Sequence, residues 1–387
     1  MTAWVTDVVR EKDDMPAFGK GQGKGQGKGQ GKGQGKGQGK GQGKGQGKGQ
    51  GTDHAGGEAS GMLSSALITT YDGTVGYWDG IPLRNPKHIG TDDSDLRYLS
   101  TDVRSDLIDS LLCPEFKITG GNGEATLHAA GHELLTLHRP DQEVFREQLK
   151  MVRAYADLRE DRMDEIMIQT DDLLSFYGAQ MYLSANRNAK TMALLYTANR
   201  MGVHVEMPIK HFCRSARPID YATHVQPMIQ TPDHSSYPSG HAIEVFATST
   251  VFARVLTGFG PKAALSAPAD SEKGRMAGMA FRLAHRIASN RSVAGVHFPI
   301  DSAAGAVIGC YLGEALYRIA TDTGNWPDAA DINFDIPDPS DAPFDLTLHW
   351  LKDQLPDDAP KGGTGNTKTV FGNLWKEAAD EWQEAPL

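Results

Sequence analysis

The chain has few cysteines and no long apolar run. Cys113, Cys213 and Cys310 are the only cysteines among 387 residues, and they form no CxxC pair. Disulfide frameworks and thiolate zinc sites need several closely spaced cysteines, so both are excluded and three reduced, mostly buried thiols are expected. The nearest candidate for a membrane span, 302–312, is closed by Glu314 and is far shorter than the ~20 residues required.

The N-terminal sequence also lacks a secretory signal. MTAWVTDVVREKDD contains no basic region followed by an apolar one. Together with the missing apolar run, this absence predicts a soluble, cytoplasmic protein with no membrane span. The net charge of -10 argues against nucleic acid or an anionic membrane as the main partner, and a hydrophobic content of 39% is enough for a sizeable core.

A repeat of Gly-Lys-Gly-Gln runs from Gly19 to Gly51. Every second residue is glycine and no side chain is apolar, so burial cannot offset the entropy of ordering the backbone, and a flexible coil is predicted. We therefore divide the chain into a disordered segment at 1–59, a helical domain at 60–340 with its motifs within 186–320, and a C-terminal tail at 341–387 that packs on the domain.

Helical periodicity dominates the chain after residue 140. Apolar spacing predicts helices at 142–158, 163–183, 186–201, 240–256, 275–288, 299–319 and, in the tail, 346–355. The region before it is predicted as loops and short helices around the core, with a short strand or extended loop at 65–78 and a turn at 118–124. The expected fold class is all-α, with a loop-rich N-terminal region.

Three glycines recur at every fourth position of the helix predicted at 299–319. Gly305, Gly309 and Gly313 each cost the helix ~1 kcal/mol relative to alanine. Something must compensate for this cost, and the close approach of a neighbouring helix is the expected reason.

The segment Tyr237-Pro238-Ser239-Gly240-His241 comes just before a predicted helix. Pro238 disfavours helix at Tyr237, which places Ser239 near the N-cap. The unpaired amides and the dipole of a helix start favour an anion, and Gly240 lets the backbone approach it closely. His241 can then lie beside the anion and exchange a proton near neutral pH.

A second predicted helix starts near His297. Pro299 suits a first helical turn, and Asp301 follows His297 by four residues, so their side chains share one face. A carboxylate bonded to one ring nitrogen orients the imidazole and leaves the other nitrogen as a ligand or nucleophile. Arg291, a few residues earlier, can bind two oxygens of one tetrahedral anion.

Lys210 and Arg217-Pro218 add two more cations. Each feature alone is most often a solvated surface pair, a turn or a structural hydrogen bond. Their combination and order before two predicted helices favour one pocket for a tetrahedral oxyanion, phosphate or vanadate, built from Lys210, Arg217, Ser239, Gly240, His241, Arg291 and His297.

The remaining histidines fall into two groups. A cluster in the N-terminal half has no accompanying carboxylate pattern, so structural roles rather than metal binding are predicted for His128, His132 and His138. Three others flank the first motif and are candidates for supporting the site: His204, His211 and His224.

In order and spacing, Lys-x6-Arg-Pro, Pro-Ser-Gly-His and Arg-x5-His-x3-Asp resemble the signature of the type 2 phosphatidic acid phosphatase and vanadium-dependent haloperoxidase superfamily. The resemblance covers residues 186–319. It departs at Asn290, where the family usually has serine. It implies a helical bundle of the vanadium haloperoxidase and acid phosphatase type, with the anion site between its helices.

The resemblance implies two chemistries for this pocket. In a haloperoxidase, His297 is the vanadium ligand, His241 is the acid–base group, and the vanadate oxygens are held by Lys210, Arg217, Ser239, Gly240 and Arg291. Lys210 also polarises the peroxide. The enzyme oxidises a halide with hydrogen peroxide to hypohalous acid, which acts on small organic acceptors. In a phosphatase, His297 attacks phosphorus, forming a phosphohistidine, and His241 protonates the leaving group of a phosphomonoester.

The residues from Thr231 to His241 favour the haloperoxidase branch. They are similar to algal bromoperoxidases, in which a histidine occupies the position of His234. His234 is therefore predicted as a catalytic residue, bromide or iodide is favoured over chloride, and a homo-oligomer is implied. The sequence thus predicts a vanadium-dependent haloperoxidase, with a soluble phosphatase of the same superfamily as the alternative. A third hypothesis is a non-enzymatic module whose repeat recruits a partner.

Overall fold

The computed structural model describes residues 61–76, 79–81, 92–96, 98–268, 270–334, 343–360, 363 and 365–383. The segment predicted to be disordered, 1–59, lies outside the described residues. The helices are α1 (Gly61–Val75), α2 (Thr101–Leu112), α3 (Gln142–Tyr155), α4 (Arg159–Ile168), α5 (Leu174–Met181), α6 (Ala189–Cys213), α7 (Pro218–Tyr221), α8 (Gly240–Thr257), α9 (Pro261–Ser266), α10 (Glu272–Val293), α11 (Pro299–Thr321), α12 (Leu348–Asp353) and α13 (Val370–Asp380). The strands are β1 (Phe116–Gly121), β2 (Glu124–Ala129), β3 (His132–His138) and β4 (Ala330–Ile332).

Helix α8 lies at the centre of a helical bundle. Helices α6, α10 and α11 pack against it, and α13 packs against α6. Almost every side chain of α8 and α11 is buried, because both helices carry small and apolar residues on all faces rather than on one stripe. Within the part of the chain that the structure describes, no helix combines the length and the apolar character needed to cross a membrane.

The three glycines of α11 lie against α8. A Cβ atom at Gly305 would lie 2.5 Å from the carbonyl oxygen of Ser239, and one at Gly309 would lie 2.6 Å from that of Ile243. At Gly313 it would meet the side chain of Thr250. The predicted close approach of a neighbouring helix is therefore confirmed, and it brings the N-terminal ends of α8 and α11 together.

Replacing Gly309 with alanine is expected to destabilise the protein by about 1–3 kcal/mol, because the added methyl group overlaps the backbone of α8. The matched control is Gly178→Ala in α5, where the nearest atom to the added Cβ would be 3.7 Å away. That control is expected to be neutral or slightly stabilising, since alanine favours helix. Urea denaturation measures both variants, and equal effects would contradict the role given to Gly309.

The fold is mostly helical, but the all-α prediction needs correction because residues 116–138 form a small sheet. Strands β1, β2 and β3 are an antiparallel meander, and β4 adds to β3 in parallel. Both hairpins turn on two residues with positive φ, Asn122-Gly123 and Ala130-Gly131, as two-residue hairpins prefer. The turn predicted at 118–124 is thus the first hairpin, but the strands around it were missed.

Three predicted segments also differ from the structure. Residues 61–75 form a helix rather than a strand or extended loop, and the helix predicted at 163–183 is broken between α4 and α5. Helix α6 continues to Cys213, well past the predicted end at 201. The weak alternation before residue 78 was therefore a poor guide, since Met62 and Ile68 are both exposed.

Helix α13 was not predicted from sequence periodicity. It is followed by Glu381, which caps α6. The Glu381 carboxylate accepts hydrogen bonds from the backbone N–H of Lys190 (2.7 Å) and of Thr191 (2.9 Å). A carboxylate at a helix N-terminus pairs with free amides and with the helix dipole. The tail therefore helps to fix the start of the helix that carries Lys210.

Candidate active site

Ser239 is the N-cap of α8, as the sequence predicted. Its Oγ accepts a hydrogen bond from the backbone N–H of Ala242, at 3.5 Å. Its own N–H donates to the carbonyl oxygen of Asp301, at 2.8 Å. This bond joins the start of α8 to the first turn of α11, so two helix N-termini with their free amides face one region.

His297 lies two residues before α11, and its side chain is buried together with that of Asp301 in the first turn of the helix. Asp301 Oδ2 accepts hydrogen bonds from His297 Nδ1 (3.1 Å), the Phe298 N–H (2.9 Å) and Ser236 Oγ (2.5 Å). The same carboxylate therefore caps α11 and orients the imidazole. With Nδ1 protonated towards Asp301, the lone pair of His297 Nε2 is left as ligand or nucleophile. The Arg217 guanidinium lies 3.4 Å from Nε2.

The electrostatics keep His297 neutral. Burial, followed by the charges of Arg217 and Lys210, holds the pKa of His297 well below its usual range. Burial raises the pKa of Asp301 to about 6, with the hydrogen bonds from Ser236 and Phe298 opposing that rise. At pH 7 the pair is therefore a carboxylate and a neutral imidazole, which is the state that a nitrogen ligand or nucleophile requires.

Replacing Asp301 with asparagine is expected to lower activity by about 10- to 100-fold, because the amide no longer fixes the His297 tautomer. Circular dichroism should show that the fold is retained, since asparagine can still accept from the Phe298 N–H. Rates are measured beside Asp331→Asn, a change at an exposed carboxylate on β4. An Asp301→Asn enzyme as active as this control would show that the carboxylate does not orient the histidine.

Lys210 and Arg217 are fixed by backbone carbonyls. Because α6 runs to Cys213, Lys210 lies in its last turn, and its Nζ donates to the carbonyl oxygens of Ser235 (3.1 Å) and Pro238 (2.5 Å). The Arg217 guanidinium donates to the carbonyl oxygens of Val296 (2.9 Å) and His234 (3.1 Å). Burial lowers the pKa of Lys210 to about 8 and that of Arg217 to about 10, so both remain cations at pH 7.

His234 lies beside Arg217, at a cleft that reaches the Lys210 side of the site. Its Nδ1 is 3.3 Å from Arg217 Nη2, and burial together with the Lys210 and Arg217 charges lowers its pKa to about 3. The cleft is also lined by His211, Arg214, Asp220 and Asp233. Of the three flanking histidines, only His211 is thus brought near the site. His204 lies close to Cys113 and Asp109, and His224 is exposed.

Gln169 connects Arg291 to His241, and sequence reasoning missed it. Its backbone carbonyl accepts from His241 Nε2 (3.1 Å), and its Oε1 accepts from Arg291 Nη2 (3.0 Å). This arrangement leaves His241 Nδ1 for a ligand. Gln169 was missed because a continuous helix was predicted across 163–183, whereas α4 ends at Ile168 and the Gln169 side chain is buried.

Asn290, where the family usually has serine, holds α4 over the site. Its Nδ2 donates to Gln169 Oε1 and to Glu165 Oε2, both at 3.0 Å, and its Oδ1 accepts from Arg162 Nη1 at 3.2 Å. Serine has too few donors and acceptors for these contacts. Asparagine at position 290 therefore makes contacts with α4 that serine could not make.

The unpaired buried donors of Arg291 fit a tetrahedral oxyanion. Of the eleven buried side-chain nitrogen and oxygen atoms without a hydrogen-bond partner in the described ranges, seven belong to Gln169, Glu206, Tyr237, Arg291 and Asp301. Two of them are Arg291 Nε and Nη1, charged donors with no acceptor. Unpaired buried donors are costly, and an oxyanion supplies the acceptors that they lack.

His241 is also neutral at pH 7. Burial and the Arg291 charge lower its pKa to about 3, although its contact with the Gln169 carbonyl opposes the shift. An anion bound beside it would raise this pKa, because negative charge stabilises the imidazolium. His241 is therefore placed to gain a proton when an anion binds and to hold it at Nδ1.

The histidines of the N-terminal half lie on the sheet and have other partners. His128 Nε2 is 3.2 Å from Thr119 Oγ1, and His138 Nε2 is 2.7 Å from Asp331 Oδ1. The ring of His132 stacks on Trp326, with centroids 5.1 Å apart. These contacts connect β1 to β2 and β3 to β4, far along the chain from the three motifs.

The central helices also match a known family. Residues 189–324 match the family model of the PAP2 superfamily, a range that includes α6, α8, α10, α11 and all three motifs. No curated protein matches the chain significantly. The matched range holds every predicted oxyanion ligand, so this part of the chain is similar to the PAP2 superfamily, which contains phosphatases and haloperoxidases.

Proposed function

We propose that this protein is a vanadium-dependent haloperoxidase that oxidises bromide or iodide with hydrogen peroxide. The observation that carries this choice over the phosphatase is His234. It lies at the cleft beside Lys210 and Arg217, with its Nδ1 against Arg217, and its lowered pKa keeps it neutral. A neutral imidazole there can hydrogen-bond a small neutral oxidant, and a phosphomonoester reaction has no need of it.

In this proposal each pocket residue has one task. His297 Nε2 would be the vanadium ligand, and Asp301 keeps its Nδ1 protonated. Lys210, Arg217, Ser239, the Gly240 amide and Arg291 would hold the vanadate oxygens. Bound vanadate would supply a Lewis-acidic centre that activates hydrogen peroxide towards the halide. The cationic residues themselves neutralise the negative charge of a bound anion.

His241 is proposed to hold the proton that the reaction consumes, and Lys210 to polarise an oxygen in the pocket. Oxidation of a halide by hydrogen peroxide to hypohalous acid and water consumes one proton overall. His241 Nδ1 is the atom placed to hold that proton beside the anion, since its Nε2 is already committed to the Gln169 carbonyl. Lys210 stays cationic near neutral pH and can polarise an oxygen at the cleft side of the pocket.

A phosphatase is the second candidate, favoured by the charge of the cleft. His211 and Arg214 line the entrance and could contact an anionic substrate such as a phosphomonoester. His297 Nε2 would then attack phosphorus, forming a phosphohistidine, and His241 would protonate the leaving group. The same oriented imidazole serves both reactions, so geometry at His297 does not separate them.

Parallel assays on one metal-free preparation separate the two reactions. Bromination of a phenol with peroxide, and phosphate release from a phosphomonoester, are measured before and after adding orthovanadate. The proposal predicts bromination only after vanadate is added, and none in a His297→Ala control. Phosphate release without vanadate, together with inhibition by vanadate and no bromination, would support the phosphatase instead.

A further inference from the structure

Glu206 is a buried acid at the oxyanion pocket that belongs to none of the three motifs. It lies on α6, one turn before Lys210, with no exposed surface. A Cβ atom at Gly240 would overlap its carboxyl group, so the acid lies directly against the start of α8. Neither Glu206 Oε1 nor Oε2 has a hydrogen-bond partner among the described residues. An unpaired buried acceptor is costly, so a ligand that pairs with it is expected.

The groups that face Glu206 carry both signs of charge. Lys210, on the same helix, and Arg217, in the loop after it, attract its charged form, and Glu244 on α8 lies close enough to repel it. Glu244 differs from Glu206 in being paired, because its Oε2 accepts from Asn199 Nδ2 at 2.8 Å. Glu206 is thus the carboxyl of the two that is left for a ligand.

The charge balance of the pocket depends on these acids. Its three cations, Lys210, Arg217 and Arg291, are opposed by Asp301, Glu206 and Glu244. If all three carboxyls were ionised, a dianion would meet no net positive charge. Burial raises the pKa of Glu206 to about 7 and that of Glu244 to about 8, which makes a proton available near neutral pH.

We propose that Glu206 shares one proton with the bound oxyanion and so makes the pocket select tetrahedral oxyanions that carry a proton, hydrogen phosphate or hydrogen vanadate, over sulfate. An ionised Glu206 accepts a hydrogen bond from the hydroxyl group of the anion. A protonated Glu206 donates one to a fully ionised oxygen. Sulfate carries no proton near neutral pH, so it binds only when Glu206 holds one. The inference rests on the oxyanion site of the proposed function but not on the reaction performed there.

The test is binding of inorganic phosphate and sulfate to the full chain by equilibrium dialysis between pH 6 and pH 8. In the wild type, sulfate is expected to bind at least about tenfold more weakly than phosphate at pH 8 and to bind more tightly on acidification. In Glu206→Gln the amide can donate and accept. Sulfate affinity at pH 8 should then rise about tenfold. A plot of the logarithm of sulfate affinity against pH should become flatter by about one, because one fewer proton is taken up on binding.

Glu244→Gln is the matched control, since it neutralises a second buried acid that already has a partner. Because it removes a charge but not the unpaired carboxyl, it should strengthen the binding of both anions and keep the wild-type preference for phosphate over sulfate. Thermal unfolding checks that both variants fold. A Glu206→Gln protein with unchanged preference and slope would overturn the inference. If the sulfate effect appears but vanadate gives no bromination, only the proposed reaction fails. If the wild type binds neither anion, the proposed site and the inference both fail.

Discussion

Replacing His297 with alanine is expected to abolish activity, with a loss of at least ~10³-fold. The imidazole supplies the one nitrogen whose lone pair is directed to the pocket by Asp301, and no other described side chain holds that position. The prediction is the same for a vanadium ligand and for a phosphorus nucleophile, so it tests the centre of the site independently of the reaction. The measurement is the initial rate at saturating substrate, with vanadate in the bromination assay and without it in the phosphate-release assay.

Two controls keep this result specific. His224→Ala removes an exposed imidazole and should retain wild-type rates. Free imidazole added to the His297→Ala enzyme should restore part of the activity, since it can enter the space left by the side chain. Full activity in His297→Ala would place the reacting centre elsewhere.

The second large effect is expected for Arg291→Lys. Lysine keeps the positive charge but loses the planar fork, and so it gives up the two donors, Nε and Nη1, that have no partner in the protein. Loss of hydrogen bonds to a charged ligand costs about 1.5–3 kcal/mol, which corresponds to roughly 10- to 100-fold weaker phosphate binding. Equilibrium dialysis with inorganic phosphate measures this change.

The matched control for Arg291 lies on the same helix. Arg286 is partly exposed and pairs with Glu165, so Arg286→Lys should leave phosphate affinity within about twofold. Unchanged phosphate affinity in Arg291→Lys would show that the unpaired guanidinium donors do not face the ligand. A loss of equal size in both variants would point instead to a general effect on α10.

The parts of the site that the sequence predicted are those built by local rules. Ser239 lies at an N-cap because Pro238 precedes it and an apolar helix follows, and Asp301 meets His297 because it lies in the first turn of α11 and reaches back over the N-cap residue Phe298. The helix-propensity cost of the three glycines in α11 was enough to predict a close contact with a neighbouring helix. Each of these inferences needs only a few neighbouring residues.

The parts that the sequence missed depend on distant contacts. Gln169 reaches Arg291 across more than a hundred residues, and only the break between α4 and α5 turns it inward. Glu206 looks like one polar residue on a long helix, and its burial follows from the packing of α8. The sheet was missed for another reason: the region before residue 140 was predicted as loops and short helices, although Ala125-Thr-Leu-His-Ala129 alternates as a strand does.

The most direct test of the central claim is the stoichiometry of orthovanadate binding to the metal-free chain. The pocket described here predicts one vanadate bound per chain, displaced by phosphate and lost in His297→Ala. Vanadate measured in the retained protein after dialysis gives both quantities. Saturable binding that persists unchanged in His297→Ala, or no saturable binding to the wild type, would contradict an oxyanion site centred on His297.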